Sequence, residues 1–428
     1  MSSYEENAKA LLKFIETSPS PYHVCKNVEE ELKNRGFFVI EESDKWTPAA
    51  GSGYVTKRND SSLIAFKMPA DTSKIKGFHI TAAHTDSPTF KIKENPEIGV
   101  EEKYVKLNTE KYGSMIMYSW FDRPLSVAGR IAYRRNGKIV TECVNIDRDL
   151  CVIPSLAIHM NRDVNKGYEF KAQADMLPLM SLKSEDNESF MSMIAESASV
   201  LEKDILGHDL FLYVRESGKL IGEKGEMILS PKLDDLECVY GAMKAFEDSK
   251  PEEYVNIFAI FDNEEVGSLT KQGADSTFLL DVTTRIAKSL MMDECGYRRM
   301  VAESFVISAD NAHALHPNHP EKADPTNRPV LNGGIVIKYH GGQHYATDAF
   351  SAAKMKDYCE RAGVPFQTFA NNSDIPGGTT LGNISVSQVS AKTVDIGMPQ
   401  LAMHSAVETG GSMDVSYMIS ALKEFYRE

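Results

Sequence analysis

Seven positions, Val255-Asn256-Ile257-Phe258-Ala259-Ile260-Phe261, carry one polar residue and stop at Asp262-Asn263-Glu264-Glu265. So short an apolar run with no helical period predicts a buried strand. The same arrangement recurs. Gly77-Phe78-His79-Ile80-Thr81-Ala82-Ala83 leads into His84 and Asp86, and Met227-Ile228-Leu229 leads into Asp234 and Asp235. Ser304 to Ala309 leads into Asp310, and Leu401-Ala402-Met403 into His404. Around these runs the period changes to that of helices. Two helices are expected at the N-terminus, broken at Ser18-Pro19-Ser20-Pro21, with Val24, Val28 and Leu32 on the inner face of the second. Further helical stretches are expected at 235–248, 276–295, 348–362 and 413–426. The middle of the chain differs: its first half lacks long helical patterns. Residues 130–141 read as a hairpin turning at Asn136-Gly137, and 185–206 as a helix or a connection. The pattern predicts an α/β fold in which a mixed sheet is flanked by helices. This domain is discontinuous, 1–92 and 226–428, and is interrupted by a β-rich insertion at 93–225.

The polar ends of the runs carry the candidate chemistry. Paired carboxylates at a strand end need solvent, basic partners or a metal ion to offset their burial. With a metal, Glu264 and Glu265 divide the work: one binds the ion and the other acts on water. His84 is a suitable imidazole ligand, and Asp86 two residues on can orient its second ring nitrogen. Asp234 and Asp235 open a helix, where an aspartate is also an ordinary cap. Asp310 precedes a cluster of His313, His316 and His319. Pro317 and Pro320 keep those histidines off one continuous helix face, so Asp310 is the expected ligand and the histidines are loop or supporting groups. Two histidines and three carboxylates, with one Glu to spare, suffice for a pair of ions sharing a bridging carboxylate.

Composition narrows the function. In 428 residues, 42% hydrophobic and 25% charged, two soluble globular domains are expected. A net charge of −14 argues against nucleic-acid binding and requires any acidic substrate to meet a local positive group. No apolar run approaches membrane-spanning length, and the polar N-terminus lacks a signal-peptide core. Six scattered cysteines without a Cys-x-x-Cys pair read as buried thiols of a cytoplasmic protein, and no thiolate zinc site is expected.

In order along the chain, His84-Thr85-Asp86-Ser87-Pro88, Ser230-Pro231-Lys232-Leu233-Asp234, Asp262 to Ser268, Ser308-Ala309-Asp310 with Ala312-His313-Ala314, and Leu401 to Ser405 resemble the aspartyl aminopeptidases. The resemblance covers nearly the whole chain. It implies a dinuclear metallopeptidase in which His84 and Asp310 hold one ion, Glu265 and His404 the other, and Asp234 bridges. It also implies Glu264 as general base, Asp86 as the group orienting His84, and a cis peptide between Asp234 and Asp235. The ions implied are two divalent cations, zinc foremost, with manganese or cobalt as alternatives. Lys338, His344 and the backbone of Gly378 and Thr379 are the implied substrate-binding groups, favouring an acidic N-terminal residue of a peptide. Two departures bear on that preference: His344 and Asn371 stand where relatives often carry Arg. His159, in Ile153 to Asn161, matches a segment that reaches a neighbouring subunit's site, where it would stabilise a developing oxyanion. The insertion is thereby implied to be a dimerisation domain, and the assembly a homo-oligomer, a dodecamer built from dimers. Rival expectations are another dinuclear hydrolase (a neutral-residue aminopeptidase, a carboxypeptidase or a deacylase) and a non-enzymatic assembly protein with a vestigial site.

Overall fold

A computed structural model describes residues 3–375, 377–378 and 380–428, without the side chains of Ser3, Asn383, Ser385, Val386 and Ser387. The chain forms two compact units. One comprises Met1–Asp86, Gly218–Met403 and Glu408–Glu428, and the other Ser87–Ser217 with the short segment His404–Val407. The breaks thus lie at 86/87 and 217/218, and a piece from near the C-terminus joins the inserted unit.

The first unit is built on a nine-stranded mixed sheet. In chain order its strands are β1 (Phe38–Val39), β2 (Gly53–Arg58), β3 (Ser62–Lys67), β4 (Gly77–His84), β5 (Tyr254–Phe261), β6 (Phe305–Ala309), β7 (Ile335–Tyr339), β8 (Phe366–Ala370) and β9 (Lys392–Gly397). Their spatial order is β1-β2-β3-β5-β4-β6-β9-β7-β8. The central strands β5, β4, β6 and β9 run parallel, while β3 pairs antiparallel with β5. The helices are α1 (Ser3–Glu16), α2 (Pro21–Asn34), α3 (Leu233–Glu247), α4 (Phe278–Ser289), α5 (Glu294–Glu303), α6 (Ala349–Ala362), α7 (Leu381–Gln388) and α8 (Asp414–Arg427).

The two-residue alternation of β5 explains why its run is apolar throughout. Phe258 and Ile260 point into one core with α1, α2, α3, α6 and α8, whereas Val255, Ile257, Ala259 and Phe261 point into the other with α4 and α5. The polar exception, Asn256, donates from Nδ2 to the Tyr426 carbonyl at 2.9 Å. Replacing the fully buried Phe258 by Ala is expected to cost about 3–5 kcal/mol.

Helix ends follow their sequence signals with one correction. Asp348 caps α6 through a reciprocal capping box with Ser351. The stretch expected as one helix over 276–295 is divided at Met291, whose φ of 60° ends α4, and Asp293 caps α5 anew. The Asp234–Asp235 peptide is cis, as the resemblance implied. A five-stranded sheet pairs Met227–Ser230 with Glu408–Gly411 and carries Pro399–Leu401 and Ala312–His313 beyond it.

The second unit holds a six-stranded, wholly antiparallel sheet. Its hairpin Leu125–Arg135 to Lys138–Asn145 turns at Asn136 and Gly137, both with positive φ (51° and 74°) as a tight hairpin turn requires. Within 185–206 a helix forms at Phe190–Ser197, capped by Ser189. Among the described residues no helix is long and apolar enough to cross a membrane. The cysteines are all free thiols; Cys295 is exposed, contrary to the expectation that all would be buried.

Candidate metal centre

The parallel strands β5, β4 and β6 deliver their carboxyl ends to one place, the usual location of sites in such sheets. Register pairs Phe261 with His84 and Ser308 with Ala82, so Asp262 to Glu265 and Asp310 leave the sheet at the level of His84. After β5 the chain turns sharply through Asn263 (φ 64°), a residue type that tolerates the left-handed region. Thr270 and Gln272 donate to the Asn263 side chain at 2.7 and 2.8 Å and fix that turn. Asp234 and Asp235, at the start of α3, have non-helical backbone angles. Their amides and carboxylates are tied elsewhere: Asp234 N–H donates to Glu408 at 3.0 Å, and Asp235 accepts from His84 N–H at 3.2 Å.

His84 is the centre of this arrangement. Its Nε2 lies 3.4 Å from Asp234 and 3.9 Å from Asp310. Its Nδ1 lies 3.0 Å from the Asp86 carbonyl oxygen and 3.4 Å from the Asp86 carboxylate. That carboxylate also accepts the amide N–H groups of Glu264 and Glu265, at 3.1 and 3.2 Å. Asp86 thus fixes the imidazole and the paired glutamates together. Ligand-type atoms of His84, Asp234, Asp235 and Asp310 all lie within 4.8 Å of one another, and those of His84, Glu264 and Glu265 do likewise.

Electrostatics explain what such a cluster needs. Burial pushes the carboxyls of Asp235, Glu265 and Asp310 above their usual range, and neighbouring carboxylates, Asp234 among them in each case, add to it; His84 opposes the effect at all three and Lys338 at Asp310. Burial likewise lifts Glu264 up to about 8, with His84 opposing and Asp310, Asp86 and Asp234 adding. Burial works against a charged His84, yet Asp235, Asp234, Asp86 and Glu264 outweigh it and raise its pKa well above that of a free imidazole. One imidazole and several carboxylates, crowded and short of positive charge, suit a divalent cation of the zinc type. The donor set therefore fits a metal: His84, Asp234 and Asp310 can hold one ion, with Glu265 beside them.

The other expected site residues are placed as follows. Lys338 is buried in β7, 3.4 Å from Asp310, and donates to the Asn311 carbonyl at 2.9 Å; it stands against an expected ligand. His344 is half-buried, and its ring stacks on His340 with centroids 4.5 Å apart. Gly378 is exposed, and Thr379 lies outside the described residues. His313, His316 and His319 are exposed, His319 lying 3.3 Å from Glu321. In the second unit, His404 directs Nδ1 to the Ser114 carbonyl at 2.7 Å, so any ligation falls to Nε2. His159 is exposed on a turn over 157–161. Sequence reasoning missed three supporting groups: Asp235 as acceptor for His84, Glu408 as acceptor for Asp234, and Asn311. Their partners lie 151, 174 and 78 residues away, beyond any local spacing rule.

Known proteins resemble this chain over nearly its whole length. The family profile described as aminopeptidase I zinc metalloprotease (M18) matches residues 14–426. A probable M18 family aminopeptidase 2 of Clostridium acetobutylicum is 46% identical, and the alignment covers 100% of both chains. A cryo-EM structure of an Ape4 and Nbr1 complex matches with a TM-score of 0.96 and 34% identity over 99% of this chain and 86% of that one. The S. cerevisiae mApe1 dodecamer matches with a TM-score of 0.86 and 28% identity over 99% and 97%.

Proposed function

Because the chain belongs to the M18 family of zinc metalloaminopeptidases, we propose that it removes an acidic N-terminal residue, Asp or Glu, from peptides at a two-ion site. His84 and Asp310 hold one ion in this reading, Glu265 and His404 the other, and Asp234 both; the preferred metal is zinc, with manganese or cobalt able to serve. Bound zinc supplies Lewis acidity toward the scissile carbonyl and eases deprotonation of water. The protein's own residues do the rest. Glu264 takes a proton from water on its carboxylate and passes it to the leaving amine. Asp86 keeps His84 oriented and holds the Glu264–Glu265 backbone in place.

The observation that carries this reading is the Asp86 carboxylate, which accepts both glutamate amides and lies 3.4 Å from the His84 ring nitrogen. A ligand, its orienting group and the proposed base are thereby locked in one hydrogen-bonded unit. Lys338, His344 and the backbone at Gly378 and Thr379 receive the substrate, and His159 reaches the site of a neighbouring subunit. The unit Ser87–Ser217 serves dimerisation within a dodecamer, by likeness to the mApe1 assembly, and the enzyme works in the cytoplasm.

A second reading, a preference for neutral residues, draws on one observation: the Lys338 ammonium is already engaged by Asp310 and Asn311. Asp-, Glu- and Leu-anilides, assayed with zinc, manganese and cobalt, separate the two. Faster hydrolysis of Leu-anilide than of the acidic substrates would reject the acidic reading.

A further inference from the structure

Asn311 follows the expected ligand Asp310 and is buried to 2% exposure. Its side chain spans elements that carry or support the ligands. Nδ2 donates to the Leu233 carbonyl at 3.0 Å, to Glu237 at 3.1 Å and to Gln400 at 2.9 Å. Oδ1 accepts from Cys238 Sγ at 3.2 Å and from Met398 N–H at 3.3 Å. Its own carbonyl accepts from Lys338, the cation paired with Asp310. Leu233 is the residue immediately before Asp234. One amide therefore ties the backbone ahead of Asp234 to the backbone beside Asp310, and braces both against α3 and the chain over 398–400.

We propose that Asn311 is a positioning residue that sets the separation of Asp234 and Asp310, and so the affinity and geometry of the ion they share. The inference rests on the two-ion reading above. An ordinary core asparagine needs only to satisfy its hydrogen bonds, whereas this one does so across the two segments whose spacing a metal ion senses. Groups that hold ligands in place through hydrogen bonds are worth about 10–100-fold in metal affinity.

The test uses the full-length zinc-loaded protein with Asn311→Ala and Asn311→Asp, the latter of nearly the same shape but with one fewer donor nitrogen. Circular dichroism and thermal unfolding confirm folding first. Zinc affinity by chelator competition and the absorption spectrum of the cobalt-substituted protein are then measured. Zinc binding weaker by about 10–100-fold, an altered cobalt spectrum, and a fall in kcat with little change in KM are the expected results. Parental zinc affinity and cobalt spectrum in a folded variant overturn the proposal. Should both variants fail to fold, Gln400→Ala, which takes away one of the three acceptors of the Asn311 amide, is expected to shift the cobalt spectrum and weaken zinc to a smaller extent; no change in either overturns it. Asp310→Asn separates this outcome from failure of the underlying reading. If Asp310→Asn keeps full zinc content, the metal assignment itself falls; if it loses zinc while Asn311→Ala does not, only the Asn311 proposal falls.

Discussion

His84 and His159 are the same side chain in opposite circumstances. His84, at the end of a parallel strand in the first unit, is fully buried, with carboxylates near both ring nitrogens. His159, in the second unit, stands exposed on a turn. The contrast extends to their surroundings. The central strands of the first unit are buried along both faces and end in crowded acids, while the second unit is an antiparallel sheet whose strand Thr89–Val100 alternates half-buried and buried positions at its start and is half-buried to exposed beyond them. His84 is held by partners within its own unit; His159 is open to contact from outside the chain.

The largest expected effect tests the organised side. Glu264→Gln should keep its zinc and lose turnover by about 10²–10⁴-fold, whereas Glu265→Gln should lose zinc. Metal analysis beside single-turnover kinetics decides this, and the reverse pattern exchanges the two roles. Next comes the exposed histidine. His159→Phe should slow turnover by about 10²–10³-fold if it serves an oxyanion. Mixing it with Glu264→Gln after verified subunit exchange should restore part of the activity. No recovery, or an active monomer in sedimentation, removes His159 from the shared site.

Lys338 sharpens the comparison from inside the first unit. Lys338→Met should lower the preference for Asp- over Leu-anilide by about 10–100-fold, the worth of a hydrogen bond to a charged group. Equal losses on both substrates assign Lys338 to Asp310 alone. The smallest effect is on stability. Burial holds the carboxyls of Asp262 and Asp414 up to about 7 and that of Glu264 up to about 8. An unfolded carboxyl titrates near 4, so between about pH 4 and 7 these three groups, and Glu264 up to about 8, hold more protons in the folded metal-free protein than in the unfolded chain. Its stability should therefore fall as pH rises through that window. Zinc takes the place of protons on its own ligands, of which Glu265, Asp310 and His84 are likewise raised, so the rise in Tm on adding zinc should grow from pH 5.5 to pH 8, by a few degrees. A rise independent of pH in thermal scans with and without chelator counts against a carboxylate-rich metal site.

What the chain revealed in advance follows the same division. Continuous apolar runs ending in acids announced β4, β5 and β6 and, with them, His84, Asp86, Glu264, Glu265 and Asp310 as candidates. The turn at Asn136-Gly137 was equally plain, because its backbone demands those residue types. The division at Met291 was hidden, since methionine gives no warning of a left-handed conformation. Asp235 read as a helix cap, because its acceptor role depends on a strand 151 residues away. Lys338 read as a pocket cation, and its contact with Asp310 arises only when β6 and β7 are brought together on either side of β9.

The strand order has a consequence for how the molecule is made. β5 lies between β3 and β4, yet it begins at residue 254, long after β4 ends at residue 84. On the ribosome, the edges of β3 and β4 that β5 will join wait through the synthesis of about 170 residues. At translation rates of about 5–20 residues per second that is roughly 10–30 s. During this interval the nascent chain presents one open edge of β3, whose other edge pairs with β2, and β4 with neither sheet neighbour yet made, the kind of surface that chaperones hold, while the residues of the inserted unit emerge in between.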